Sequence, residues 1–174
     1  MKSYLAVIAI SVLGACSSGS SGSGGATPGA PTAPTTPTTP TTPTVPTTPV
    51  DTSFRGMLND VRATNGAGPL SYDARLGAAA QGHADDMLAN NYFSHTGLNG
   101  SSPGDRITAT GYVWRTYGEN IAKGQTSEEQ VLQGWTNSPG HHANNINPAF
   151  EDYALAKAGS GSNTYWVLVL ATEM

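Results

Sequence analysis

Near its end the chain reads Tyr165-Trp166-Val167-Leu168-Val169-Leu170, six apolar residues in an unbroken run. Aromatic and β-branched residues in so short a run are typical of a strand that is covered on both faces. The preceding segment, residues 153–157, alternates larger side chains with alanine, and Gly159-Ser160-Gly161-Ser162-Asn163 supplies turn residues between the two. The sequence therefore predicts an antiparallel hairpin whose second strand is buried.

Upstream of the hairpin, apolar residues recur every three or four positions, which is the spacing of one helical face. The two clearest stripes are Phe54, Met57, Leu58 and Val61, and then Leu76, Ala80, His83 and Met87. Two shorter helices are marked by their caps, one by Ser102-Pro103 and one by a capping box of Thr126 and Glu129. A further short strand is expected over residues 117–122. Helices packed on a small sheet of this kind indicate an α/β domain.

The first residues have the composition of an export signal. Met1-Lys2 is followed by an apolar run over residues 5–13, too short for a bilayer span of about 20 residues. Leu13-Gly14-Ala15-Cys16 resembles the bacterial lipobox, so we expect a lipoprotein signal peptide over residues 1–15 and a lipid on the sulfur of Cys16. Ordinary signal-peptide cleavage, which leaves a soluble secreted protein with a free thiol, is the alternative.

Residues 16–50 contain Cys16, a Ser/Gly stretch and then a segment of almost only Thr and Pro. Such a composition buries too little apolar area to offset its ordering entropy, so a disordered linker is expected. Its prolines favour polyproline II, and a spacer on the order of 75 Å follows from about 3.1 Å per residue. A Pro-rich docking ligand is the alternative, less favoured because no Arg or Lys flanks the prolines. The globular domain is therefore placed at residues 51–174.

The charge of the chain limits its partners. All 12 acidic residues lie from Asp51 onward, scattered along the domain, and the formal net charge of the whole chain is −4. Because no basic patch is present, a nucleic-acid partner is not expected. We expect an exported monomer at the cell envelope, anchored in a membrane through Cys16, whose ligand is an unidentified lipid, glycan or protein.

Six motifs follow one another through the domain. They are His83-Ala84-Asp85-Asp86-Met87, Tyr92-Phe93-Ser94-His95, Asp105-Arg106, Gly118-Glu119-Asn120-Ile121-Ala122, Trp135-Thr136-Asn137-Ser138-Pro139-Gly140-His141 and Tyr165-Trp166-Val167. In order and spacing they resemble the bacterial branch of the CAP superfamily, also called SCP-like, over residues 54–171. The resemblance implies a three-layer α/β/α sandwich with a small antiparallel sheet.

The resemblance also implies a cleft lined by two histidines and two glutamates. His95 matches the first histidine, Glu119 the glutamate of the Gly-Glu-Asn motif and His141 the second histidine, whereas the second glutamate falls at Ser138. Two imidazoles and one carboxylate suit Zn²⁺, with a fourth position for water, so His95, Glu119 and His141 are the predicted metal ligands and zinc the predicted cofactor. In the alternative interpretation, Glu119 pairs with a histidine or with loop amides and fixes the cleft wall.

Other candidate residues have structural explanations. Ser138 before Pro139 is typical of a helix cap, which we favour over a Ser/His pair. His83 lies on an apolar stripe and is expected to be a core histidine bonded through one nitrogen. Trp135 and Trp166 are expected in the core or cleft wall.

Two functions are left open by the sequence, and no catalytic residue is assigned. The first is a non-enzymatic binding module for a lipid, glycan or protein. The second is a metal-assisted hydrolase that acts on peptide or cell-wall material. A third possibility is a spacer or adhesive display domain, for which the cleft has no role.

Overall fold

A computed structural model describes residues 52–174 of the chain. The predicted signal peptide, the lipidation site at Cys16, the linker over residues 16–50 and the domain boundary at Asp51 lie outside the described residues. The helices are α1 (Thr52–Thr64), α2 (Ala74–Ala89), α3 (Pro103–Ala109), α4 (Glu128–Thr136) and α5 (Pro139–Asn145). The strands are β1 (Ser71–Tyr72), β2 (Trp114–Lys123), β3 (Asp152–Ala158) and β4 (Tyr165–Glu173). In residues 52–174 no helix has the length and apolar character that crossing a bilayer requires.

The four strands form one sheet in the order β1-β3-β4-β2. The predicted hairpin is confirmed, because β3 and β4 pair antiparallel, and β2 pairs antiparallel with the other edge of β4. All of β4 except its last residue, Glu173, is buried, as its unbroken apolar run predicted. The sequence did not predict β1, whose two residues pair parallel with β3. A two-residue strand carries no periodicity that could reveal it.

Helices cover both faces of the sheet and create two separate cores. Side chains alternate along β4, so Val167 and Val169 enter one core while Trp166, Leu168 and Leu170 enter the other. The first core includes α2 and the alanines of β3, and the second includes α1 and α4. The predicted three-layer α/β/α sandwich is therefore confirmed.

Of the caps that the sequence predicted, the one at α3 is confirmed and the one at α4 is not. Ser102 caps α3, as expected, and Asp105 completes a capping box that was not predicted. The prediction of Thr126 as the cap of α4 is wrong, because Ser127 occupies that position and its hydroxyl accepts from the backbone N–H of Gln130. Both Thr126 with Glu129 and Ser127 with Gln130 fit the capping-box spacing, so the sequence pattern alone is ambiguous by one residue.

A buried arginine joins α1 to the segment that follows α5. The Arg62 side chain is fully buried, and burial lowers its pKa from the ordinary value. Its guanidinium donates to the carbonyl oxygens of Gly68 at 2.6 Å, Asn145 at 2.8 Å, Asn147 at 3.0 Å and Phe150 at 3.1 Å. These carbonyls follow the ends of two helices, where backbone acceptors lack helical partners. Arg62 thus fixes the position of α5 relative to α1.

Candidate functional site

The centre of the site is the Glu119 carboxylate, which lies on β2 with its side chain 2% exposed. Its Oε1 is 2.8 Å from His95 Nδ1, and its Oε2 accepts from Arg106 at 2.8 Å. Since a carboxylate accepts hydrogen bonds, the proton of a neutral His95 ring belongs on Nδ1, and Nε2 is left with a lone pair. This pairing of Glu119 with a histidine is the one that the structural interpretation of the sequence anticipated.

Arg106, on α3, forms hydrogen bonds to three segments around the Glu119 carboxylate. Besides Glu119, its guanidinium donates to the carbonyl oxygens of His95 and Ser101, each at 3.0 Å. The sequence predicts no role for Arg106, although the residue belongs to one of the motifs. The available signal was indirect: a buried carboxylate needs a cationic or hydrogen-bonding partner, and the motif placed an arginine nearby.

His141 enters the site from the first turn of α5. Its Nδ1 is 3.0 Å from the Ser138 hydroxyl, which stands at the N-cap position of α5 but forms no capping bond with the backbone. The predicted position of Ser138 is therefore confirmed, with Pro139 in the first turn, whereas its hydroxyl contacts His141 instead of capping the helix. Burial lowers the pKa of His141, and repulsion from a protonated His95 lowers it further.

An asparagine network holds α5 against β2. The Asn120 amide donates to the His141 carbonyl at 3.1 Å and to the Asn145 side chain at 2.9 Å. It accepts in turn from Asn144 at 2.8 Å. At Gly118, a Cβ would lie 2.9 Å from the Phe150 ring, so the close approach requires glycine. The Gly-Glu-Asn motif thus combines a close contact, a buried carboxylate and an anchor for α5.

These contacts bring together segments that are distant in the sequence. His95 contacts Glu119, Ser138 contacts His141, and Asn120, the neighbour of Glu119, donates to the His141 carbonyl. Among residues 52–174, no three His, Cys, Asp or Glu side chains form a group suited to a metal ion. Both Glu119 oxygens accept hydrogen bonds and the side chain is 2% exposed, so in this arrangement the carboxylate does not face an open coordination position. Zinc binding stays a prediction.

The predicted core residues are confirmed. His83 is 1% exposed and bonded through Nε2, 2.8 Å from the Ser94 carbonyl oxygen, and burial lowers its pKa. Trp135 and Trp166 are buried in the second core. Their indole nitrogens donate to backbone carbonyls, as buried tryptophans usually do.

Known proteins are similar to this chain in sequence or in fold. The uncharacterized protein YkwD of Bacillus subtilis is 39% identical over 106 residues, which cover 61% of this chain and 41% of that protein. An extracellular protein of Bacillus anthracis that contains an SCP domain has a similar structure, with 28% identity and a TM-score of 0.63 over 69% of this chain and 39% of that one. An outer surface protein of Borrelia burgdorferi shares the fold, with 21% identity and a TM-score of 0.64 over 69% and 90% of the two chains.

The match to YkwD spans about two fifths of that protein's length. The sequence profile of the Cysteine-rich secretory protein family matches residues 56–170, which is well over half of the chain and includes every site residue described above. The fold, the motifs and this match agree, and the chain belongs to the Cysteine-rich secretory protein family, known as CAP.

Proposed function

We propose that this chain is a membrane-tethered extracytoplasmic binding protein, whose cleft at His95 and His141 binds a lipid, glycan or protein without hydrolysing it. The similar proteins from Bacillus anthracis and Borrelia burgdorferi are described as extracellular and as an outer surface protein, which supports an exported location. The lipid anchor at Cys16 is part of this proposal.

The observation that carries the proposal is the bonding of Glu119. In the metal-assisted hydrolase that the sequence leaves open, Glu119 would hold the metal or take a proton from its water. Glu119 instead bonds His95 with one oxygen and Arg106 with the other, and its side chain is 2% exposed. This carboxylate acts through His95, as a positioning residue, and does not face a substrate.

We propose that Zn²⁺ binds through the Nε2 atoms of His95 and His141. In both rings Nδ1 is already bonded, to Glu119 and to Ser138. A carboxylate on the far nitrogen of a metal-binding histidine orients the ring and raises its basicity, which is the role that Glu119 fits. When bound, zinc would supply an electrophilic contact for a carbonyl or carboxylate of the ligand.

The decisive experiment compares the full-length chain with the double variant His95→Ala/His141→Ala. ZnCl₂ is titrated into each by calorimetry, and hydrolysis of labelled casein and of cell-wall material is followed with and without zinc. We expect zinc affinity to fall at least about tenfold in the double variant and no turnover in either protein. His142→Ala, on the same helix, is the matched control and should bind zinc normally. Zinc-dependent turnover that the double variant loses would establish the hydrolase instead.

Ligand classes are separated by one probe of each kind, namely a fluorescent fatty acid, a soluble disaccharide and a casein peptide. The proposal expects one of them to bind the unaltered chain and to lose affinity in the double variant, which must retain its circular dichroism spectrum. If every probe binds the unaltered chain and the double variant equally, or binds neither, the cleft has no binding role. The domain is then the spacer or adhesive display domain that the sequence left open.

A further inference from the structure

A second concave site lies between α2 and the loop of residues 97–101. It is a cavity of about 420 Å³, within the usual range of about 300–1,000 Å³ for small-ligand sites. Of the described residues, those that line it do not include His95, Glu119 or His141. The cavity is therefore distinct from the cleft considered above, although Arg106 in its wall also bonds Glu119.

The Asp86 carboxylate lies in one wall of this cavity. Gly82, Asp86 and Asn90 all line the cavity, and they are four residues apart on one face of α2. Helical side chains tilt toward the N-terminus of their helix, and the Asn90 amide donates to Asp86 Oδ1 at 2.8 Å. The carboxylate of this partly exposed residue thus lies between Gly82 and Asn90. Nothing lies within 4 Å of a Cβ built on Gly82, so that side of Asp86 is open to a ligand.

The hydrogen-bond partners of Asp86 do not neutralise its charge. The carboxylate accepts from the Asn90 side-chain amide and from the Tyr92 hydroxyl, which are both neutral groups. Burial and the bond to Asp86 raise the pKa of Tyr92 to about 12, so this hydroxyl keeps its proton near pH 7. Within residues 52–174, Asp86 belongs to no salt bridge.

The other ionisable residues of the wall leave this negative charge uncompensated. Arg106 Nη2 lies 2.8 Å from the Glu119 carboxylate, so the charges of those two residues cancel. Burial lowers the pKa of His83, which keeps its ring neutral near pH 7. The wall and Glu119 together therefore carry a net negative charge, and they favour a cationic ligand over an anionic or neutral one.

An apolar side chain lies beside this carboxylate. Leu98 lines the cavity, is 66% exposed, and interacts through its backbone with the Tyr92 hydroxyl that Asp86 holds. A lysine side chain carries an ammonium group on a four-carbon stem, so it matches a carboxylate next to an aliphatic surface. We infer that the cavity binds an alkylammonium group, namely the lysine side chain of a partner polypeptide, with its ammonium on Asp86 and its stem on Leu98. This inference does not rest on the proposed function of His95 and His141.

The test is an NMR titration of the full-length, ¹⁵N-labelled chain with Nα-acetyl-lysine-N-methylamide. The matched ligand is Nα-acetyl-norleucine-N-methylamide, which has the same four-carbon stem and lacks the ammonium. We expect the lysine compound to shift the backbone amides of Asp86 and Leu98 saturably, and the norleucine compound to bind at least about tenfold more weakly. Equal binding of the two compounds, or no saturable shift with either, overturns the inference.

Asp86→Asn tests the same contact from the side of the protein. Its control is Asp85→Asn, which makes the same change of charge one residue away, at an exposed carboxylate outside the cavity lining. Asp86→Asn should weaken binding of the lysine compound at least about tenfold, and Asp85→Asn less than about twofold. Equal affinities in the two variants would contradict the inference. If Asp86→Asn loses its circular dichroism spectrum, the comparison of the two ligands on the unaltered chain decides.

Gly82→Lys places the proposed ligand group within the chain itself. Position 82 is four residues from Asp86 on the same helix face, so the introduced ammonium reaches the carboxylate and its stem fills the cavity. Binding of the lysine compound should fall at least about tenfold. Gly134 on α4 is likewise exposed and open around its Cβ, and it lies outside the lining. Gly134→Lys adds the same charge and should bind the compound normally. Undiminished binding by Gly82→Lys would place the ligand elsewhere.

Two further measurements define the source of the ammonium and the independence of the site. Cadaverine has a second ammonium that finds no other carboxylate in the described lining, so it should gain no affinity over the lysine compound. Markedly tighter binding of cadaverine would assign the site to free amines instead of a polypeptide. The His95→Ala/His141→Ala variant should bind the lysine compound as the unaltered chain does, whatever the fate of its zinc binding.

Discussion

Glu119 shows how a single side chain organises the candidate cleft. It lies on a central stretch of β2, and it joins the loop that carries His95 to the helix that carries Arg106. Replacing it by glutamine keeps its size while changing one acceptor oxygen into a donor nitrogen. That nitrogen would face either the Arg106 guanidinium or the protonated Nδ1 of His95, which are donors themselves.

We therefore expect Glu119→Gln to lower the free energy of unfolding by about 3 kcal/mol, since it breaks a buried charged pair. Urea unfolding followed by circular dichroism measures the change. Glu173→Gln is the matched control, because that carboxylate is exposed and paired with Arg75 at the surface. The unfolding midpoint of the control should hardly move. Equal losses in the two variants would show that Glu119 is not a buried anchor.

The family resemblance identifies the two histidines and the carboxylate of this site, but not Arg106 or the contact of Ser138. His95, Glu119 and His141 follow from the family resemblance, and the structure brings His95 into contact with Glu119. Arg106 was missed because chain spacing does not tell which cation will reach a buried carboxylate. The Ser138 hydroxyl could not be assigned either, since a residue at an N-cap position can bond the backbone or a side chain one turn later.

At the scale of elements, the start of α4 provides a sharp test of helix capping. The Ser127 hydroxyl accepts from the Gln130 backbone N–H. Among the described bonds, the neighbouring Thr126 hydroxyl instead donates to the Gln130 side-chain oxygen. Ser127→Ala should therefore cost about 1 kcal/mol of stability in a thermal or urea unfolding measurement, and Thr126→Ala distinctly less. A larger loss for Thr126→Ala would restore the cap that the sequence first suggested.

The elements that the sequence predicted share a strong pattern. The β3–β4 hairpin has an apolar run and turn residues, and α2 has a full apolar stripe of Leu76, Ala80, His83 and Met87, all buried. The strand β1 has neither an apolar run nor an apolar stripe. Ser71 and Tyr72 form a strand because they lie alongside β3, just before the cap of α2. Its pairing depends on tertiary placement, which no local window of sequence contains.

At the scale of the whole molecule, the sandwich follows from two independent lines of reasoning. The pattern suggested helices on a small sheet, and the family resemblance specified three layers, which the two cores on opposite faces of β4 confirm. Neither the sequence pattern nor the family resemblance predicts the relative position of α1 and α5. That position is fixed by the bonds of Arg62 to carbonyls more than eighty residues away, a set of contacts without sequence signature.

The anchoring of the chain is tested by Cys16→Ser. Acyl chains on the cysteine sulfur each contribute about 0.8 kcal/mol per buried methylene, and two or more of them hold a protein in a membrane. We expect the unaltered protein in the membrane fraction and the serine variant in the soluble fraction, measured by immunoblotting after fractionation. Ser20→Ala is the control and should remain with the membranes. A Cys16→Ser protein that still sediments with membranes would rule out the lipid anchor.

The bonds of Arg62 also have a mechanical consequence. A pulling force on the chain ahead of Thr52 would act on α1. The Arg62 guanidinium of α1 donates to the carbonyl oxygens of Asn145, Asn147 and Phe150. Tension on α1 would therefore act on the C-terminal end of α5, the helix that carries His141. In the anchored protein that we propose, drag on the chain ahead of Thr52 would therefore reach the geometry of the cleft.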